Sequence, residues 1–493
     1  MRYQISVLVL LLNFGALGSA QTFRGAINGI VRDSSDAVVP KAHVVAEAVA
    51  TGIKHATLTT SNGEFVFQDL PLGKYDVTVT VSGFAVFTAD NVKVTAGAIY
   101  TLPVRLTLVQ TSTTIQVSAT AVALDTTTET QTTDVAGASI QDAPLNGRDF
   151  TQLMALQPGF GGYPAGGFGS VNGTRGNQVN WQIDGVDNND LWHNIPAVNQ
   201  GGVSGIAGIV LPIDAIDEFS LQTQSSPEAG RNPGGVANLV IKSGGNDVHG
   251  SAYYYNRNEA FAAAPFFLPA GTPKNEMRNV QWGGSLSFPI IRNRTFFFGA
   301  FEKQNFTIGI QGLTTEPSLA YQQAALGVMQ FYGVPENPVS SAMLKTLWPS
   351  GALQGAAAPN NFFSTDPEYG YSYNGIVKLD HKINDKNTVS FRWFSGEGNQ
   401  TAPVGSNLKD YYEVAPIHVQ NYALVYNSAF SPAFSNQLLL GVNAFNQVFH
   451  DFNDSFDTKS LGLYISPSAT FRGAPHLVIR GFDETGLTPP AGR

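Results

Sequence analysis

The sequence of 493 residues is long enough for about three domains. Its net charge of −9 disfavours nucleic-acid binding, which needs a basic surface. The absence of cysteine excludes a disulfide scaffold, a thiolate zinc site and a cysteine nucleophile. Charged residues make up only 13% of the chain and hydrophobic residues 43%, a balance that argues against bulk disorder. With 51 glycines and 27 prolines, this composition predicts a β-rich, turn-rich protein with a largely uncharged surface.

The first twenty residues have the pattern of an export signal. Arg2 supplies a positive start, residues 7–12 form an apolar core, and residues 18–20 (GSA) are small, as a cleavage site requires. The apolar run is much shorter than the roughly 20 residues that a membrane-spanning helix needs. We therefore expect residues 1–20 to be a signal peptide, and the mature chain to meet a membrane only through β-strands or its surface.

Residues 22–110 carry the signals of a small β-sandwich. Turn residues recur at the spacing of short antiparallel strands, and residues 61–63 (SNG) are a strong hairpin signal. In the next predicted strand, Tyr75, Val77 and Val79 share one face because side chains alternate along a strand. One buried face for each strand is what a sandwich core needs.

The motifs of this segment resemble the carboxypeptidase regulatory-like domain, which has a carbohydrate-binding-like fold. They lie at residues 29–33 (GIVRD), 62–65 (NGEF), 70–75 (LPLGKY) and 83–84 (GF). The segment has no recognisable platform of aromatic residues on which a sugar could stack. We therefore expect a structural or docking module rather than a carbohydrate site.

Residues 111–135 are interpreted as an extended linker, because Thr, Ser and Ala dominate without a sustained period. One short stretch of the linker alternates apolar and small side chains, a pattern that can add as an edge strand to another sheet. It consists of Thr114, Ile115, Gln116, Val117, Ser118 and Ala119.

The sequence pattern of residues 136–248 predicts a glycine-rich globular domain of α/β type. Residues 144–150 (PLNGRDF) lead into a segment in which Phe150, Leu153 and Met154 suit one face of a short amphipathic helix. Eight glycines follow between residues 159 and 176, as tightly packed loops with positive φ require.

Catalytic and metal sites find little support in this domain. Asp184, Asp187 and Asp190 recur every third residue, but the Gly and Glu of a calcium loop are missing. The glycine-rich stretch lacks the GK[ST] of a phosphate-binding loop, and the sequence has neither H-E-x-x-H nor G-x-S-x-G. We therefore expect no enzyme activity, no metal and no cofactor.

The ordered motifs of residues 136–248 resemble the plug domain of TonB-dependent outer-membrane receptors, specifically the Oar-like branch. In that branch a regulatory-like sandwich precedes the plug, and a membrane barrel follows. One departure is at residues 228–231 (EAGR), where relatives usually place an aromatic residue before the glycine. The matching plug residues are Asn146, Gly147, Arg148, Arg175, Gly176, Asp184, Gly185, Arg231, Gly234, Gly235 and Asn238.

The resemblance also implies contacts. Residues 114–119 stand where related receptors carry the TonB box, the peptide that the energising protein captures. Arg148 and Arg231 would be plug arginines that pair with carboxylates inside the barrel wall. The alternative is that both arginines are solvated surface charges.

From residue 249 onward the pattern is that of a membrane β-barrel. About seven segments of roughly ten residues alternate apolar with polar or small side chains, as transmembrane β-strands do. A soluble sandwich has the same period, but the connections here alternate between short and long, which is typical of an outer-membrane barrel. The clearest apolar positions are Val280, Trp282, Leu286, Phe288, Val377, Leu379, Val389, Phe391, Trp393, Tyr422, Leu424, Leu438, Leu440 and Val442.

Seven strands do not close a barrel of this kind, because single-chain bacterial barrels have an even number of strands and no open edge. The sequence also ends at residues 489–493 (PPAGR) without the terminal aromatic residue that such receptors usually carry. We therefore expect residues 249–493 to be the first part of the barrel, in either a longer protein or a truncated gene product.

These parts imply a TonB-dependent receptor in the outer membrane of a Gram-negative type of cell, in contact with outer-membrane lipid and a TonB-type energising protein. It would import an unidentified ligand, such as a chelate, an oligosaccharide or a peptide, by rearrangement of the plug. An outer-membrane structural or adhesion protein is the alternative, and a functional energising peptide at residues 114–119 would discriminate the two. A third possibility, an exported hydrolase, lacks a catalytic constellation.

Overall fold

The computed structural model describes residues 24–108, 115–118, 131–163, 165–224, 231–264, 266, 273–431, 434–454, 456–463 and 473–486. The expected signal peptide and most of the linker lie outside these residues. Three β units follow one another: a sandwich, a glycine-rich globule, and a wall of long strands. The mainly β fold predicted from the sequence is confirmed.

The sandwich consists of two sheets with strand orders β4-β1-β7, where β8 also pairs with β1, and β3-β2-β5-β6-β9. Alternate side chains of each sheet point into one core, in which Tyr75, Val77 and Val79 are buried as predicted. Gly63 has a φ of +72° in the expected hairpin turn. The strands are β1 (Gly25–Arg32), β2 (His43–Ala48), β3 (Lys54–Leu58), β4 (Glu64–Leu70), β5 (Gly73–Thr80), β6 (Phe87–Val94), β7 (Ile99–Thr101), β8 (Val104–Arg105) and β9 (Ile115–Ser118).

Strand β9 comes from the linker stretch that the sequence marks as a candidate edge strand. It pairs in parallel with β6, so it lies at the edge of the larger sandwich sheet. Thr114 and Ala119 lie outside the described residues.

The glycine-rich globule (residues 131–246) is built on a five-stranded sheet with the order β10-β15-β16-β13-β14. Phe150, Trp181 and Phe219 lie at the centre of its core. The expected amphipathic helix forms as a 3-10 helix over Phe150–Leu156, capped by the side chain of Asp149. Its elements are β10 (Gln131–Ala136), α1 (Ala138–Asp142), β11 (Phe160–Gly161), β12 (Ser170–Val171), β13 (Asn180–Ile183), β14 (Val186–Asp187), β15 (Ile216–Gln224) and β16 (Val236–Ile241).

The wall is a curved antiparallel sheet in which the seven long strands expected from the sequence are neighbours in chain order. These strands are β17, β18, β19, β22, β23, β25 and β26, and each is 10 to 17 residues long. The full set is β17 (His249–Asn258), β18 (Met277–Ile291), β19 (Thr295–Ile308), β20 (Gly312–Thr314), β21 (Phe362–Ser364), β22 (Glu368–Asn384), β23 (Asn387–Ala402), β24 (Glu413–Val414), β25 (Ile417–Ser431), β26 (Phe434–Gln447) and β27 (His450–Asp451).

The two faces of the wall differ in the way that the alternation predicts. Outward side chains such as Trp282, Trp393 and Leu440 are exposed and apolar, as contact with lipid requires. The inner face is polar except where the globule sits, and there Phe298 and Phe394 join the core of the globule. Among the described residues, no helix is long and apolar enough to span a membrane.

The connections sort by length onto the two ends of the wall. One end, the short-turn end, has turns at residues 292–294 and 385–386, whereas the other, the long-loop end, has connections at 259–276, 309–367 and 403–416. The longest connection contains two helices that the sequence did not predict, α2 (Leu319–Phe331) and α3 (Pro338–Thr346), capped by Ser318 and Asn337. Within the described ranges the wall is not closed, since β17 and β26 do not pair with each other.

The alternation of the wall leads to a first prediction. Leu424 lies midway along β25 on the outer face, so Leu424→Lys places a charge at mid-depth and should cost about 2–4 kcal/mol of unfolding free energy. The matched control is His418→Lys, near the end of the same strand and also outward, with an expected cost of about 0–1 kcal/mol. Urea unfolding of the full-length protein in lipid vesicles measures both, and equal costs would contradict the assignment of this face to lipid.

Candidate functional site

The contact between globule and wall centres on one buried carboxylate, that of Asp184. Asp184 and Gly185 form the two-residue turn between β13 and β14, with φ of 47° and 78°, as a type I′ hairpin requires. Asp184 Oδ2 lies 3.1 Å from Nε of Arg392 and 3.6 Å from Nζ of Lys378. Asp184, Lys378 and Arg392, here named the Asp184 triad, are all buried, so the globule supplies the anion and the wall supplies both cations.

Backbone hydrogen bonds complete the coordination of the triad. Oδ1 of Asp184 accepts from the backbone N–H of Ile241 at 3.0 Å, and Nζ of Lys378 donates to the Ile241 carbonyl at 2.7 Å. Nη2 of Arg392 donates to the Ile183 carbonyl at 3.0 Å. The triad therefore joins the ends of β13 and β16, two strands of the globule, to β22 and β23 of the wall.

Around the triad, uncharged amide side chains of the wall contact the globule backbone. The Nδ2 amide of Asn421 donates to the Asp187 carbonyl at 3.1 Å, and Oδ1 of Asn374 accepts from the Val210 N–H at 3.1 Å. Single neutral hydrogen bonds contribute only about 0.5–1.5 kcal/mol each, because water can replace the partner. Further contacts of this kind come from Gln281 to Gly147, from Gln400 to Val203 and Ile206, and from Asn443 to Asn189.

The two candidate plug arginines pair with carboxylates of the globule itself. Arg148 lies 3.7 Å from Asp214, and its guanidinium stacks over Tyr253 and Tyr255 of the wall, 5.0 and 4.1 Å from the ring centroids. Nε of Arg231 lies 3.0 Å from Asp187, and that pair is half exposed. No described ion pair joins either arginine to a wall carboxylate, so that pairing stays a prediction; the described wall offers Arg148 aromatic rings, which attract a cation through their π faces.

The other expected residues fall into two groups. Asn238 joins the triad region, because its Oδ1 accepts from the N–H of Gly185 at 3.1 Å. Gly176 and Gly234 permit close packing. A Cβ on Gly176 would lie 2.5 Å from the Phe168 carbonyl oxygen, and a Cβ on Gly234 would lie 2.6 Å from the Gln178 carbonyl oxygen.

Four of the expected residues lie away from the triad. Arg175 is exposed, Gly147 and Gly235 have positive φ, and Oδ1 of Asn146 accepts from Arg257.

The three regularly spaced aspartates have separate structural roles. Asp184 belongs to the triad, Asp187 pairs with Arg231, and Asp190 accepts the backbone N–H groups of Trp192 and His193. Within the described parts of the chain, no group of three or more His, Asp or Glu side chains is placed to hold a metal ion.

Lys378 and Arg392 are the functional residues that sequence reasoning missed. Both lie on the polar face of an alternating strand, where a charged side chain inside a barrel needs a partner. That signal is present in the sequence, but the partner lies about 200 residues away along the chain and depends on how the globule is seated.

The burial of the triad generates a second prediction. Asp184→Asn keeps the acceptor for the Ile241 N–H but leaves two buried cations without an anion, which should cost about 3–5 kcal/mol of unfolding free energy. Asp187→Asn removes the half-exposed pair with Arg231 and should cost less than about 1 kcal/mol. Urea unfolding of the full-length protein compares the two variants, and a cost for Asp184→Asn no larger than that for Asp187→Asn would refute the central role of the triad.

Comparisons with known proteins agree with this architecture. A family model described as "Outer membrane beta barrel domain" matches residues 240–492, and one described as "Carboxypeptidase regulatory-like domain" matches residues 26–109. The TonB-dependent transporter Oar of Myxococcus xanthus is 24% identical over 304 residues, which cover 58% of this chain and 27% of that protein. The chain thus spans less than a third of the length of this relative.

Two solved structures are similar over part of the chain. The outer membrane transporter YddB from Escherichia coli has a TM-score of 0.45 at 11% identity, covering 66% of this chain and 40% of that one. The siderophore receptor PirA from Pseudomonas aeruginosa has a TM-score of 0.37 at 12% identity, covering 64% and 41%.

The barrel model covers more than half of the chain, and the regulatory-like model covers most of the sandwich. The chain therefore belongs to the outer membrane beta barrel family, carries a carboxypeptidase regulatory-like domain before the barrel, and is similar in sequence to the TonB-dependent transporter Oar.

Proposed function

We propose that the intact protein is a TonB-dependent outer-membrane transporter in which the glycine-rich globule is the plug. The observation that carries this proposal is the seating of the globule against the inner face of the wall by the Asp184 triad. A body that packs on the wall through apolar side chains such as Phe298 and Phe394, and that polar contacts position, can block the passage, and it can move when those contacts are exchanged. The short-turn end would then face the periplasm and the long-loop end the outside.

The transport step needs no covalent chemistry in this account. The neutral amide contacts, such as those of Asn374 and Asn421, can exchange their backbone partners for water at small cost. The Asp184 triad is different, because separating its charges in a dry interface costs several kcal/mol. When the plug rearranges, the Asp184 triad would therefore either stay intact or become hydrated.

The linker would bring the mechanical signal to the plug. Strand β10 begins at Gln131, within the last residues of the predicted linker, and it is an edge strand of the globule sheet, where its one described partner is β15. A pull on residues 114–119 by a TonB-type partner would load this edge strand before any other part of the globule. The sheet could then open from β10 while β13 and β16 stay attached to the wall through the Asp184 triad.

A structural or adhesion role is the second candidate, and one surface favours it. Helix α2 has no charged residue and buries none of its side chains fully, and Val328 and Phe331 are exposed at the long-loop end. An exposed apolar helix on the outside suits contact with another surface. An adhesion protein, however, has no use for a captured peptide at residues 114–119.

Capture of that peptide gives the third prediction. A photo-crosslinking amino acid at position 116 of the full-length protein should crosslink to a TonB-type protein in energised cells. Val117→Pro should abolish the crosslink, because proline removes a strand N–H and resists edge pairing. Thr127→Pro, in the same linker but outside the peptide, should leave the crosslink intact.

Immunodetection of the TonB-type protein in the crosslinked band measures the outcome. A crosslink that survives Val117→Pro would show that the contact is not strand capture. The absence of any crosslink from position 116 in the parent would favour the adhesion role.

A further inference from the structure

The sandwich meets the short-turn end at two separate places, once through Asn246, the last residue of the globule, and once through Ser435 of the wall. In the turn between β2 and β3, the Thr51 carbonyl accepts from Nδ2 of Asn246 at 2.6 Å, and Asn246 also bonds to Asn293 in the turn between β18 and β19. Oγ of Ser435, at the start of β26, donates to Oε1 of Gln68 at 2.8 Å. The sandwich therefore reaches from one side of the described wall to the other.

The sandwich also contacts the globule directly. The backbone N–H of Ala96 donates to Oε1 of Glu218 at 2.8 Å, and a Cβ on Gly97 would lie 3.0 Å from Nε2 of Gln222. Glu218 and Gln222 belong to β15, the strand that pairs with β10. One rigid domain is thus docked on both sides of the seam between globule and wall.

The three units line a cavity of about 520 Å³ at this end, and the cavity is partly open to solvent. Tyr75 and His55 line it from the sandwich, Asp184 and Asp217 from the globule, and Arg392 and Ser287 from the wall. The Asp184 triad therefore borders a space that the sandwich covers in part at the short-turn end.

We propose that the sandwich is a lid over the short-turn end of the seam between globule and wall. A ligand can pass along this seam only after the sandwich has separated from Asn246, Ser435 and Glu218. This inference rests on the proposed transport function, to which it adds a second barrier beyond the plug. The mobile part then includes the sandwich as well as the globule.

The fourth prediction measures access to the cavity without the need for a ligand. Ser287→Cys in the full-length protein introduces a thiol into the cavity, in a chain whose 493 residues contain no cysteine. Its rate of labelling by a polyethylene-glycol maleimide in isolated outer membranes should be low. Two substitutions, Gly52→Arg and Gly97→Arg, should each raise the labelling rate by about tenfold, because they separate the sandwich from the globule and the wall. A Cβ on residue 52 would lie 2.9 Å from Oδ1 of Asn293.

Gly83→Arg is the matched control. Gly83 also has a positive φ, +88°, but a Cβ added there would have no neighbour within 4 Å, so the substitution brings the same strain and charge without touching the seam. Its labelling rate should equal that of the parent. Fast labelling in the parent, or equal rates in all three glycine variants, would overturn the lid.

Energised cells that contain or lack the TonB-type protein separate this inference from the transport function. If the lid is right and TonB-dependent transport is wrong, Gly52→Arg still raises the labelling rate, but the TonB-type protein changes nothing.

A buried carboxyl group supports a pH-dependent lid. Burial raises the pKa of Glu218 to about 8, and the neighbouring carboxylates of Asp134 and Asp217 add to the shift, whereas the Ala96 N–H and the positive charge of Lys93 oppose it. The docked state therefore binds more protons than the undocked state between about pH 4.5 and 8, and docking weakens as the pH rises through this window.

The fifth prediction follows from that sign. In the Ser287→Cys background, the labelling rate, divided by that of a free thiol at each pH, should rise between about pH 5.5 and pH 8. Glu218→Gln keeps an acceptor for the Ala96 N–H but cannot ionise, so its normalised rate should stay low and flat. An equal rise of the normalised labelling rate with and without Glu218→Gln would show that Glu218 does not cause the pH dependence.

Discussion

The burial of a single carboxylate, Asp184, between two cations of the wall is the constraint on which the seating of the globule depends. Neither partner can keep its charge in a dry interior alone, because an unpaired buried ion costs several kcal/mol. Arg392 and Lys378 therefore require the globule, and Asp184 requires the wall. The Asp-Gly turn of β13 and β14 fixes the direction of the carboxylate, so local backbone chemistry sets the position of a whole domain.

Around this fixed corner, the interface has properties that suit movement. Neutral amides contact backbone groups, and each such contact exchanges readily with water. The edge strand β10 is the first strand of the globule in chain order, and β15 separates it from β16, the nearer of the two strands that the triad holds. A body with one strong anchor, several weak contacts and a loosely held edge can open in steps. In the proposed account, the docked sandwich adds a separate closure at the short-turn end.

The architecture was largely readable from the sequence, because lipid on one side and a polar interior on the other force side chains to alternate along each strand. The seven long strands and the sorting of short and long connections follow from that physics. The site was only half readable: Asp184, Gly185 and Asn238 were expected, but not their partners, since the register of a distant wall strand is not a local property. For Arg148, the aromatic rings that the wall provides were not expected, because the sequence does not show which side chains of distant strands face the globule. Helix α2 was missed because the apolar spacing around Leu319 and Val328 has no charged face to contrast with.

The most direct test of the central claim is a double-mutant cycle between Asp184→Asn and Arg392→Gln in the full-length protein, with the free energy of unfolding in urea as the readout. The buried ion pair should give a coupling energy of about 1–3 kcal/mol, because Asp184→Asn leaves Arg392 without its partner and Arg392→Gln leaves Asp184 with Lys378 alone, whereas the double variant removes both charges of this pair. Additive effects of the two substitutions would contradict the account, since they would mean that the globule and the wall are held together without this contact.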